Sequence, residues 1–130
     1  MKKNTKKLGK LSAIEMELME ALWQQGTVTV AQLVAQFEST KGWKTSTIAT
    51  MLDRIMAKGF LEKQLQGKAN YYHPTISQAD YKAQEGREVI TNLYGGSILN
   101  FMAALVDDGG ITQSDITELS QWFSTLTVEE

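Results

Sequence analysis

Residues 41–59 read KGWKTSTIATMLDRIMAKG. On a helix turning about 100° per residue, Ile48, Met51, Leu52, Ile55 and Met56 form one apolar stripe. Thr47, Thr50, Arg54 and Lys58 fall within about 80° of one another on the adjacent face, and Gly59 ends the segment. That second face is small, hydroxylated and cationic. Base edges in the major groove are satisfied by short polar or forked cationic side chains, which bulky apolar groups cannot replace. A generic amphipathic helix has the same pattern, so the neighbouring segments decide.

Upstream, Ser12 and Glu15 have capping-box spacing, and Leu11, Ile14, Leu18, Ala21 and Leu22 share a helical face, predicting a helix over 12–25 that stops at Gly26. The β-branched run Thr27 to Val30 reads as a short strand. It leads into Val30, Leu33, Val34 and Phe37, spaced for a second helix. Downstream, LEKQLQ and ANYYH flank Gly67-Lys68, predicting a hairpin closed by Pro74, the only proline. The order helix, strand, helix, helix, hairpin makes residues 11–75 a winged helix-turn-helix. The fold class is mainly α with a small β-wing.

Residues 76–130 read as a helical dimerisation region. Ser77 and Asp80 cap a helix running to about Tyr94 and carrying Val89, Ile90 and Leu93, which Gly95-Gly96 interrupts. SILNFMAALV follows, with Ile98, Leu99, Met102, Leu105 and Val106 on one face, and residues 107–110 (DDGG) read as a loop. Thr112 and Asp115 cap a last helix bearing Ile116, Leu119, Trp122, Phe123 and Leu126. This region is too poor in apolar residues to enclose a core and too rich to be left in water. Burial across a two-fold axis resolves the conflict, with Leu93, Ile98, Leu99, Phe101, Met102, Leu105, Ile116, Leu119, Trp122 and Phe123 at the interface.

Charge divides the chain in the same place. Residues 1–74 hold 11 basic and 6 acidic side chains, whereas residues 75–130 hold 2 and 9. A basic head fits a polyanion, and an acidic tail faces away from it. Residues 1–10, MKKNTKKLGK, read as a disordered lysine-rich arm. Within the head, Thr45, Ser46, Thr47 and Thr50 are expected near bases and phosphates, and Lys41, Lys44, Arg54 and Lys58 on phosphates. The hairpin adds Lys63 and Lys68. Tyr71 and Tyr72 lie on opposite faces of its second strand, so one packs inward; Tyr71 is assigned to the core and Tyr72 to DNA.

Enzymatic readings find little support. There is no cysteine and only one histidine, His73, and the acidic pairs Asp107-Asp108 and Glu129-Glu130 lack a repeated ligand spacing. No phosphate-binding glycine loop or nucleophile motif occurs, and neither a metal nor a cofactor is expected. No apolar run reaches 18 residues, so the chain is expected to be cytoplasmic, without a membrane association. The rival to DNA binding is a winged helix whose polar face contacts a protein partner.

Four stretches, taken in order and spacing, resemble the penicillinase and methicillin-resistance repressors, the BlaI/MecI family, which also includes the copper-responsive CopY-type repressors. They are LSAIEMELMEALW (11–23), GWKTSTIATMLDRIMAKGFLEK (42–63), GKANYYHP (67–74) and LYGGSILNF (93–101). The resemblance implies a homodimeric bacterial repressor in which each winged helix reads half of a pseudo-palindromic operator. It carries over Ser46, Thr47, Thr50 and Arg54 as contact positions within a reading helix at 45–58. Ser46 stands where relatives often have Lys, and Ala49 where they often have a polar residue, so operator preference is expected to differ. Asn100-Phe101 looks like the bond at which a regulatory protease inactivates antibiotic-sensing members, although Phe101 on an apolar helix is also plain packing. The paired cysteines of copper-responsive members are absent, which excludes a thiolate copper switch.

Overall fold

The computed structural model describes residues 9–126, so most of the predicted lysine-rich arm lies outside the described residues. The elements are α1 (Ala13–Gln25), α2 (Val30–Lys41), α3 (Thr45–Ala57), β1 (Leu61–Gln66), β2 (Ala69–Pro74), α4 (Gln78–Tyr94), α5 (Ile98–Asp108) and α6 (Gln113–Phe123). Two compact units result, one ending at Lys82 and the other beginning at Ala83. The first is a winged helix.

Local chemistry sets most boundaries. The Ser12 hydroxyl accepts from the Glu15 N–H at 3.2 Å and the Glu15 carboxylate accepts from the Ser12 N–H at 2.9 Å, which closes the expected capping box of α1. Thr29 and Gln32 form a second box at the start of α2. Gly42 ends α2 in the left-handed conformation, φ 68°, which glycine adopts without steric cost. Because Thr29 is a helix cap and Val30 already helical, the strand expected over Thr27 to Val30 shrinks to one bridge, Val28 to Tyr72.

The wing is the anticipated hairpin around Gly67-Lys68. β1 and β2 pair antiparallel from Leu61 opposite Pro74 to Gln66 opposite Ala69, joined by Gly67-Lys68. The core beneath it is formed by Leu18, Met19 and Leu22 of α1, Leu33 of α2, Ile48, Leu52 and Ile55 of α3, and Val28 and Phe60 from the connections. All are essentially inaccessible to solvent, and each such side chain contributes about 1.5–3 kcal/mol by its removal from water.

The first unit extends past residue 75, where the sequence reading divided the chain. Ile76 and Tyr81 are buried in its core, and Thr75 donates its N–H to the Phe60 carbonyl at 2.9 Å. The first turn of α4 therefore belongs to the winged helix.

The second unit has well-formed helices and little interior. The Ser97 hydroxyl accepts from the Asn100 N–H at 3.0 Å to cap α5, and Thr112 and Asp115 close a capping box on α6. Asp107 and Asp108, expected in a loop, complete the last turn of α5; only Gly109, at φ 84°, breaks it. Neither α5 nor α6 contains a buried residue, and Leu126 lies beyond the end of α6.

Candidate nucleic-acid interface

α3 divides as its periodicity requires. Ile48, Met51, Leu52 and Ile55 are buried, while Thr45, Ser46, Thr47, Thr50 and Arg54 are exposed. Ser46, Thr47, Thr50 and Arg54 line one shallow, open depression floored by Met51. The Thr50 hydroxyl donates to the Ser46 carbonyl at 2.9 Å, which holds its rotamer and leaves the oxygen lone pairs as acceptors. Lys44 occupies the N-cap position and supplies no side-chain acceptor. The first-turn N–H groups of α3 thus stay uncapped at the positive end of the helix dipole, an arrangement that suits a phosphate oxygen.

The other lysines assigned to phosphate differ in their surroundings. Lys44 is exposed beside Thr45, in a depression shared with Val34, Glu38 and Gly42. Lys41 pairs with Glu17 at 3.0 Å and lies 5.9 Å from the centroid of the Trp43 ring. So exposed an ion pair is worth about 0–1 kcal/mol, so Lys41 exchanges partners cheaply.

Lys58 departs from the stripe. Its ammonium is 2.5 Å from the carboxylate of Glu15, whose side chain is only 7% exposed. Burial pushes the Glu15 carboxyl up, but the Lys58 ammonium and the Ser12 hydrogen bonds outweigh it and hold the group below the usual carboxylate range. The sequence pattern placed Lys58 on the DNA-reading face because angle alone does not show that α1 brings a buried acid to the end of α3.

The wing reverses the tyrosine assignment. Tyr72 is 5% exposed, and its backbone exchanges hydrogen bonds of 2.7 and 3.0 Å with Val28. Burial, and secondarily the charge of Asp53, push its hydroxyl up from the ordinary value. Tyr72 is therefore a core residue, and the half-buried Tyr71 occupies the other face of β2. The Val28 bridge fixes which tyrosine turns inward; the β-branched run around Val28 was the sequence signal for it. Lys63 and Lys68 are exposed on the wing, and His73 faces Glu62 across it at 3.6 Å.

The residues expected at a dimer interface all lie in the second unit. Leu93, Ile98, Leu99, Ile116, Trp122 and Phe123 are exposed, whereas Phe101, Met102, Leu105 and Leu119 are half-buried. Nine of the eleven large apolar side chains found exposed among the described residues lie between Val89 and Leu126, so apolar exposure is concentrated in the second unit. Asn100 is exposed in the first turn of α5, and the Phe101 ring meets Tyr94 edge-on at 5.3 Å. The Asn100-Phe101 bond is thus within a hydrogen-bonded turn that must unwind before a protease could enter it.

A family profile described as penicillinase repressor matches residues 11–125. The chain is 26% identical over 116 residues to the penicillinase repressor of Bacillus licheniformis, covering 89% of this chain and 91% of that one. It is 24% identical over 109 residues to the methicillin resistance regulatory protein MecI of Staphylococcus aureus, covering 84% and 89%. Among solved structures, the DNA-binding domain of the repressor BlaI matches with a TM-score of 0.52 and 31% identity, over 59% of this chain and 94% of that domain. The monomeric form of Bacillus licheniformis BlaI in complex with the blaP half-operator matches with a TM-score of 0.50 and 31% identity, over 58% and 92%. The profile spans both units and the solved domains match the winged-helix architecture: the chain belongs to the penicillinase repressor family.

Proposed function

We propose that this protein is a transcriptional repressor that binds operator DNA through α3 and its wing and acts as a homodimer joined by its second unit. The observation that carries the reading is the depression lined by Ser46, Thr47, Thr50 and Arg54 on the open face of α3. It lies in a chain similar to a BlaI form solved with a half-operator. Hydroxyls and a guanidinium supply base-edge and phosphate contacts, and the uncapped start of α3 adds backbone donors. Lys44, Lys63 and Lys68 add sequence-independent attraction.

Pairing follows from the apolar balance of the second unit. α5 and α6, which bury no residue, and the end of α4, with Leu99 at 76% and Leu93 at 72% exposure, gain stability by covering one another across a two-fold axis. Two linked readers then hold two half-sites far more tightly than one reader holds one, through effective concentration. Repression of this kind takes place where the chromosome is, in the cytoplasm.

Selection of duplexes from a random library, followed by electrophoretic shifts at several salt concentrations, tests the reading. Enrichment of a pseudo-palindrome with salt-dependent binding is expected. Absence of any shift on duplex DNA at low salt would instead favour a winged helix that contacts a protein. Truncation after Asn100 removes α6 and most of α5, so sedimentation should find residues 1–100 monomeric; a stable dimer of that fragment refutes the assignment of the tail.

A further inference from the structure

The three residues between the wing and α4 are each tied down. Thr75 follows Pro74, the last residue of β2, and donates its N–H to the Phe60 carbonyl at 2.9 Å and its hydroxyl to the Gly59 carbonyl at 2.6 Å. Ile76 is 7% exposed, and its carbonyl accepts from the indole N–H of Trp23 on α1 at 2.9 Å. The Ser77 hydroxyl accepts from the Asp80 N–H at 3.1 Å and so caps α4. The first turn of α4 then inserts Tyr81, 5% exposed, against two rings: Phe60, edge-on at 5.4 Å, and Trp23, tilted at 5.5 Å. A flexible linker has few buried contacts and a solvated backbone; this junction has neither property.

Phe60 also terminates the reading helix. Its N–H bonds to the Ile55 carbonyl at 3.3 Å, wrapping the chain around the end of α3. The root of α4 and the end of α3 are therefore packed on the same buried ring. A repressor with two readers selects half-site spacing only if the path from each reading helix to the dimer axis is stiff; a loose root would let the readers rotate to follow any spacing. We propose that Tyr81, seated between Trp23 and Phe60, is a positioning residue that sets the half-site spacing the repressor accepts. Tyr81 acts through the direction of α4 and contacts no DNA. The inference rests on the pairing proposed above, and it assigns a regulatory specificity to a residue outside the reading face.

The full-length protein is tested on three probes derived from a duplex selected by the wild type: the full pseudo-palindrome, the same site with two base pairs inserted at its centre, and a single half-site. The insertion rotates one half-site by about 70° relative to the other, and the wild type should lose at least about tenfold in affinity. Tyr81→Ala is expected to bind the half-site within about threefold of wild type and to discriminate against the insertion by less than about threefold. Tyr81→Phe, which keeps the ring, restores the discrimination. Trp23→Phe removes the hydrogen bond to Ile76 while keeping an aromatic ring, and its discrimination falls between the two. A folded Tyr81→Ala protein with wild-type discrimination overturns the proposal. If Tyr81→Ala has lost its cooperative melt and its half-site binding, Trp23→Phe decides, and wild-type discrimination in that variant overturns it. A wild type that binds the full site no better than the half-site defeats the pairing itself, a failure distinct from an intact spacing preference in the variants.

Discussion

Replacing Lys58 by Met removes an ammonium 2.5 Å from the Glu15 carboxylate while retaining much of the aliphatic stem. Glu15 keeps the Ser12 N–H at 2.9 Å but loses its counter-charge in a site where its side chain is 7% exposed. Breaking one half of a fully buried pair costs about 3–5 kcal/mol. The Lys58 side chain is 32% exposed, so water reaches the pair and the expected cost at neutral pH falls to about 2 kcal/mol. For a unit of this size that is a drop in Tm of about 10 °C, readable in a thermal melt.

The pH dependence has a definite sign. In the wild type the folded-state carboxyl is held below its ordinary value, so the pair's contribution is complete above the ordinary carboxylate pKa of about 4.3 and is lost as pH falls through the folded-state value. The gap between wild type and Lys58→Met is therefore full at neutral pH and narrows in acid. The double variant Lys58→Met with Glu15→Gln should be more stable than Lys58→Met alone, because it no longer buries an unpaired charge. On duplex DNA the salt slope of Lys58→Met should match the wild type, since no phosphate contact is lost. A slope reduced by about 0.9, or a melt unchanged within about 0.5 kcal/mol, refutes the argument.

Arg54→Ala gives the opposite pattern, with the melt nearly unchanged and the salt slope lower by about 0.9 if the guanidinium sits on phosphate. Unchanged binding on selected and random duplexes alike would remove Arg54 from the interface. Gly86 is inside α4 with nothing within 4 Å of where a Cβ would stand and without a positive φ. Gly86→Ala should therefore raise stability by about 0.5–1 kcal/mol in a denaturant or thermal melt; a loss of stability would show that the position is crowded or strained.

What the sequence disclosed is what short-range chemistry determines. Ser12 with Glu15 and Thr112 with Asp115 are three residues apart, so their caps could be read from spacing, as could the α3 stripe and the two-residue turn at Gly67. Other positions depend on partners distant in the chain. Lys58 is placed by Glu15, 43 residues away, and Tyr72 by the bridge to Val28. Trp23 and Ile76 are 53 residues apart, so the sequence could not show that the chain beyond Pro74 is bound into the winged helix. Thr29 and Gln32 are only three residues apart, yet the β-branched run from Thr27 to Val30 carries the stronger local signal, for a strand, and hides the cap.

The second unit, whose α5 and α6 bury no residue, has a further consequence for repression as proposed. A helical region that completes its interior only in a partner takes its stability from the number of molecules present as well as from its own chain. Mass action then makes the two-reader form scarce at low copy number and dominant above a threshold. The sparse packing of α5 and α6 would thereby make operator occupancy rise more steeply than repressor abundance.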